Sequence, residues 1–242
     1  MHPPRRRARR VAAALAAVSL TAGVGAGIQT AHARSLGTLT SHTLLGRSFP
    51  ADAITDRFDE PSGALNGTTD SNGDAWYVYP GTFNLTGTGQ VVASGTALTM
   101  ATVAAPGDPV DVSVGIEIHA ATNKTFVGVL LNAAGTGTDQ SATYVMYNAS
   151  GTGTLYLYRI SPTGVVNQLT LKNAVGSGKD HYLLATYING VYTATLDGQT
   201  SKSLTYTVPA GSRTAYESNT ACGIATNGDN SSTIDNFQCF AQ

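Results

Sequence analysis

Val110-Asp111-Val112-Ser113-Val114-Gly115-Ile116-Glu117-Ile118-His119 alternates apolar residues with polar or small ones. Successive side chains of an extended chain point to opposite faces. The alternation therefore predicts a strand with one face on a core and the other turned away from it. The same kind of segment recurs along the chain. Phe126 to Leu131 is a continuous apolar run. Thr143 to Asn148, Thr154 to Ile160 and Val165 to Leu171 follow, broken by Asn148-Ala149-Ser150-Gly151 and Pro162-Thr163-Gly164. Tyr182 to Ile188 and Val191 to Leu196 flank Asn189-Gly190, a pair that tolerates the positive φ of a two-residue hairpin turn. Ala221 to Thr226 and Thr233 to Phe240 close the sequence and are read as a hairpin about Asn227-Gly228-Asp229-Asn230. Roughly a dozen strands with no helical period between them predict an all-β fold, a single-domain two-sheet antiparallel β-sandwich or jelly roll.

Residues 1–33 read as an export signal. Arg5, Arg6, Arg7, Arg9 and Arg10 precede the apolar run Val11 to Ala22, and Ala31-His32-Ala33 offers a small-residue cleavage site. Residues 34–54 lack strong periodicity and read as an extended lead-in to a domain over 55–242. Without residues 1–33 the chain keeps nine basic against fifteen acidic residues, a net charge of −6. That balance argues against nucleic acid and anionic lipid as partners, since both require a basic face. No later run is long enough to span a membrane, and the expected location is extracellular. Nothing in the sequence fixes an oligomeric state.

Cys222 and Cys239 are the two cysteines. In an exported chain they are expected to form a disulfide, a structural staple rather than a redox site. No histidine or third cysteine stands at a zinc-ligand spacing from them.

Asp56-Arg57-Phe58-Asp59 and Ile234-Asp235-Asn236-Phe237 place a Phe beside an Asp near both ends, as paired first and last strands would. Between them stand Leu65-Asn66-Gly67, Gly73-Asp74-Ala75-Trp76, Tyr182-Leu183-Leu184 and Cys222-Gly223-Ile224-Ala225. In this order, over about residues 56–240, the motifs resemble the concanavalin A-like lectin/glucanase superfamily, and within it the laminin-G-like jelly-roll modules of exported bacterial proteins. The resemblance implies two antiparallel sheets with glycans bound on a concave face or its rim. It also implies a calcium ion in many members, tying the first strand to the last through an Asp and backbone carbonyls. Asp235 stands at the matching place, with Asp56 or Asp59 as its expected counterpart. Trp76 falls where core packing is expected.

The superfamily holds binders and enzymes alike, so function has to be read from side chains. Glycoside hydrolysis uses two carboxyl groups about 5–9.5 Å apart. The three glutamates Glu60, Glu117 and Glu217 lie far apart in sequence, and the Glu-x-Asp-x-x-Glu strand of laminarinase-like members is absent. Glu117 and His119 share a strand face, where a carboxylate and an imidazole could exchange protons. Glu117-Ile118-His119 is similar to the Gln-Ile-His strand of the alginate-lyase branch, whose Arg-rich and Tyr/Lys-rich strands are missing here. His42 and His181 have no partner at a telling spacing. Tyr156 and Tyr158 share a face opposite Leu155 and Leu157, and are the expected sugar-stacking pair. Asp70-Ser71-Asn72-Gly73-Asp74 reads as an Asx turn.

These residues define three expectations. The first is a secreted, non-catalytic module that binds a polysaccharide or cell-surface glycan, or adheres to a surface, through Tyr156, Tyr158, Glu117 and His119. The second is a glycan-active hydrolase or lyase using Glu117. The third is a structural extracellular protein with no small ligand. A cleft gathering Glu117, His119 and a second carboxylate within ~6 Å would favour the enzyme.

Overall fold

The alternating stretch becomes an eight-residue strand, Val112–His119, with Val112, Val114, Ile116 and Ile118 buried and Glu117 and His119 half-buried on the other face. A computed structural model describes residues 42–44, 47–49, 53–105, 111–120, 126–134, 141–150, 153–161, 163–172, 180–228 and 230–242. The export signal expected over residues 1–33 lies outside them.

In chain order the strands are β1 (His42–Leu44), β2 (Arg47–Phe49), β3 (Ile54–Asp56), β4 (Gly63–Ala64), β5 (Tyr77–Val78) and β6 (Phe83–Leu85). β7 (Val91–Ala93), β8 (Thr99–Ala104), β9 (Val112–His119), β10 (Phe126–Ala134), β11 (Ser141–Asn148) and β12 (Thr154–Ser161) follow. The last six are β13 (Gly164–Lys172), β14 (Asp180–Ile188), β15 (Val191–Leu196), β16 (Leu204–Thr207), β17 (Ala221–Asn227) and β18 (Thr233–Ala241). A short helix, α1 (Arg213–Glu217), precedes β17. Within the predicted lead-in, β1 and β2 pair as a small antiparallel hairpin.

Two antiparallel sheets form the sandwich. One has seven strands in the order β13-β12-β11-β10-β17-β8-β5. The other has nine, β16-β15-β14-β9-β18-β7-β6-β4, with β3 added against β18. The shared core takes Val114, Ile116 and Leu183 from the nine-stranded sheet and Val129, Val145, Leu155 and Leu157 from the seven-stranded one.

The ends of the chain meet as expected. β3 pairs with β18 in the register Phe237↔Asp56. Phe58 and Phe237 both lie in the core against Trp76, Phe237 edge-on at 4.9 Å between ring centroids. The Trp76 indole donates from Nε1 to Asp56 Oδ2 at 2.6 Å. Trp76 is thus a packing residue, as read from the sequence.

The expected hairpin of the last two strands does not form. β17 pairs with β10 and β8 in the seven-stranded sheet, whereas β18 pairs with β9, β3 and β7 in the nine-stranded one. The turn at 227–230 is a crossover between layers. The Cys222–Cys239 disulfide forms across it and staples one sheet to the other.

Candidate functional site

β14, β9 and β18 lie side by side. Register sets Asp180 opposite His119 and Tyr182 opposite Glu117 on one side, and Asp235 opposite Glu117 on the other. Residues in register share a face, so the outward face of three adjacent strands collects Glu117, His119, Asp180 and Asp235.

Local irregularity aims Asp235. The β18–β9 register shifts between Asp235 and Gln238, and Asn236 there takes a φ of 49°. A left-handed residue with an extra position on one strand is a β-bulge, a device that re-aims side chains. Asn236 then holds both carboxylates. Its backbone N–H donates to Asp235 Oδ1 at 2.6 Å, and its Nδ2 donates to Glu117 Oε2 at 2.8 Å.

His119 Nδ1 lies 2.9 Å from Asp180 Oδ1. His119 Nε2 is shielded from solvent and has no hydrogen-bond partner. One ligand atom each from Glu117, His119 and Asp235 lie within 4.8 Å of one another. Burial raises the Asp235 carboxyl above its ordinary range, opposed by the Asn236 N–H and reinforced by the negative charge of Glu117. The group is half-buried, so solvent screens part of this effect.

A cleft of about 350 Å³ opens beside the cluster, lined by Glu117, Ile118, His119, Asp180, His181, Tyr182 and Asp197. The expectation that His181 lacks a partner is corrected here. Its Nδ1 lies 2.8 Å from Asp197 Oδ2, and its ring meets Tyr147 edge-on. Asp197 also accepts the Tyr182 backbone N–H at Oδ1, 2.8 Å away. Asp197 stands at the Asp-Gly turn that closes β15, and the two-residue hairpin at Asn189-Gly190 already sets it beside His181, a signal that sequence spacing alone conceals. Asp180 is not legible in this way, because it meets His119 through the long-range pairing of β14 with β9.

The tyrosines lie elsewhere. Leu155 and Leu157 enter the core, and Tyr156 and Tyr158 occupy the opposite face of the seven-stranded sheet. Tyr158 stacks on buried Tyr144 at 5.0 Å and Tyr156 packs against Phe126 at 5.5 Å. Glu117 and His119 face outward from the other sheet, so the four expected ligand residues divide between two surfaces.

Cation-binding expectations divide likewise. Asp56 is not a free ligand: its oxygens accept from Trp76 Nε1 and the Phe58 N–H. Asp70 Oδ1 accepts the backbone N–H groups of Asn72 and Asp74, the expected Asx turn. Among the described residues the gathered donor set is two carboxylates and an imidazole. Calcium favours oxygen ligands throughout, and the imidazole fits that ion poorly.

No family model matches the chain, and no curated protein matches it. Solved structures overlap with its backbone. The carbohydrate binding module CBM66 from Bacillus subtilis is 10% identical, with 71% of this chain and 92% of that one covered at a TM-score of 0.49. The Bacillus licheniformis β-glucanase is 10% identical over 76% of this chain and 99% of its own, at 0.48. The Ca²⁺/Man2-bound exoplasmic/lumenal domain of VIP36 is 11% identical over 78% and 89%, at 0.47. These neighbours are concanavalin A-like jelly-roll folds. Likenesses at this level carry no functional argument, and the strand pairing itself defines this chain as a two-sheet antiparallel sandwich. Among the described residues no helix is long and apolar enough to cross a membrane.

Proposed function

We propose that this protein is a secreted glycan-binding jelly roll whose ligand occupies the cleft over β9 and β14. The observation that carries this reading is the cleft itself. Its volume of about 350 Å³ suits a sugar unit, and its wall brings together the carboxylates of Asp180, Asp197 and Glu117. Carboxylates accept hydrogen bonds from vicinal hydroxyls. Export is supported by the tripartite pattern of residues 1–33 and by a disulfide, which persists in oxidising compartments.

A specific observation favours a second reading, a glycan-active enzyme using Glu117. Glu117, His119 and a second carboxylate do gather within 4.8 Å beside a cleft. The binding reading is preferred because Asp235, the second carboxylate of the cluster, is not among the residues that line the cleft. Two catalytic carboxyl groups have to flank the bond that is cleaved.

A glycan array probed with the purified secreted chain separates the two. Binding that is lost in Glu117→Gln, with no product released from the bound polysaccharide, supports the binder. Release of reducing ends or unsaturated sugars, abolished in Glu117→Gln, would replace it with the enzyme. Binding to no glycan would overturn both.

A further inference from the structure

We infer that Glu117, His119 and Asp235 form a binding site for a divalent first-row transition metal ion such as Zn²⁺, with Asp180 orienting the histidine. The inference shares Glu117, His119 and Asp180 with the proposed cleft but does not depend on a glycan.

Three features carry it. The first is distance. Donors on one tetrahedral Zn²⁺ at about 2.0–2.2 Å stand roughly 3.3–3.6 Å apart. The three ligand atoms lie within 4.8 Å of one another, and side-chain rotation of about 1 Å brings them to that spacing.

The second is the state of His119. An imidazole that donates from Nδ1 to a carboxylate keeps a lone pair on Nε2, and metal-bound histidines are typically held in this way. His119 Nδ1 meets Asp180 at 2.9 Å, and Nε2 is removed from water without a partner. The two ring nitrogens point away from each other. Asp180 lies on β14, to one side of β9, and Asp235 lies on β18, to the other. In the tautomer that donates from Nδ1 to Asp180, the shielded Nε2 is an acceptor that a cation held with Glu117 and Asp235 would satisfy.

The third is the support behind the carboxylates. Asn236 engages Asp235 Oδ1 and Glu117 Oε2, which leaves Asp235 Oδ2 and Glu117 Oε1 for a ligand. The bulge that places Asn236 costs left-handed backbone at a non-glycine residue, with φ 49°. Mixed N/O donors select zinc-like ions over calcium. Three protein ligands also leave a coordination position open, and Glu117 and His119 both line the cleft.

Titration of the metal-stripped secreted chain with Co²⁺ tests this, because cobalt absorbs in the visible when bound to such ligands. We expect one equivalent of Co²⁺ to give a d–d band, Zn²⁺ to abolish it, and a hundredfold excess of Ca²⁺ to leave it unchanged. Glu117→Gln with Asp235→Asn should remove the band while far-UV circular dichroism stays native. Asp180→Ala should weaken affinity by roughly 10–100-fold and keep the band. Absence of a band in folded protein would overturn the inference. So would a band indifferent to the double substitution, or one displaced by Ca²⁺. Because the readout contains no sugar, a failed glycan screen leaves it untouched.

Discussion

Asp56 is buried against the indole that closes the first strand onto the last, and burial pushes its carboxyl from 3.8 up to about 6. The Phe58 N–H and Trp76 Nε1 oppose the rise without cancelling it. The folded state therefore keeps this proton to a higher pH than the unfolded chain does. Its contribution to stability is complete below about pH 4 and declines as pH rises to about 6, a loss on the order of 3 kcal/mol. Urea unfolding in steps from pH 4 to pH 7 should show that decline. Asp56→Asn, which carries no titratable proton, should flatten it even though the variant loses an acceptor and is weaker throughout. An unchanged slope would mean that other carboxyls set the pH dependence. At this scale the sequence was partly legible. The Phe58, Phe237 and Trp76 core could be read because apolar residues at paired ends have few places to go. The partner of His119 could not. Asp180 reaches His119 through the long-range β14–β9 register, which residue spacing does not encode, whereas Asp197 follows from the hairpin register that Asn189-Gly190 sets.

The strands themselves were the legible elements, because period-two alternation is a local property that survives whatever the strand later pairs with. Asn189-Gly190 also told its turn: both residues have positive φ, 51° and 82°, and β14 and β15 pair across them in register Ile188↔Val191. Asp111 Oδ1 accepts the Asn189 N–H at 2.9 Å and fixes the turn against the start of β9. Gly190→Ala should therefore cost about 1–2 kcal/mol, the penalty of a side chain in left-handed backbone. Its added Cβ would also meet the flexible Arg213 side chain at 2.4 Å, which can yield. Gly95→Ala, with open space around it, should be neutral in the same chemical denaturation series. Gly128→Ala belongs to another class, since its Cβ would fall 2.0 Å from the Val145 carbonyl oxygen of the neighbouring strand. Backbone cannot move aside as a side chain can, and that variant should fail to accumulate as folded protein. What local pattern could not tell was sheet membership. β17 and β18 look like a hairpin because a short polar turn joins two apolar runs, and a short crossover between layers has the same composition. The β18 bulge is invisible for a related reason. It depends on how Asp235 and Gln238 meet β9, not on a residue type that forces it.

Across the whole molecule, this crossover changes what the disulfide does. A bridge within one hairpin would reinforce neighbours already held by a ladder of hydrogen bonds. Cys222–Cys239 instead joins the two sheets, from β17 in the seven-stranded layer to β18 in the nine-stranded one. β18 is also the strand that receives β3, so the staple, the closing strand pair and the Trp76 cluster reinforce one another. Closing a chain loop of this length is worth about 3 kcal/mol in the chain-entropy account, and in a domain of about 200 residues that equals roughly 6–12 °C in Tm. Trp76 is the sole tryptophan and is 1% exposed, so its emission should be blue-shifted in the folded protein and report on closure of the sandwich. Cys222→Ser with Cys239→Ser should lower the Tm read from that emission by this amount. The folded spectrum should stay unchanged, because Phe58, Phe237 and Asp56 still enclose the indole. A red-shifted spectrum before heating would show that the staple is needed to bring the first strand home. An unaltered Tm would show that the paired ends already hold the two layers together.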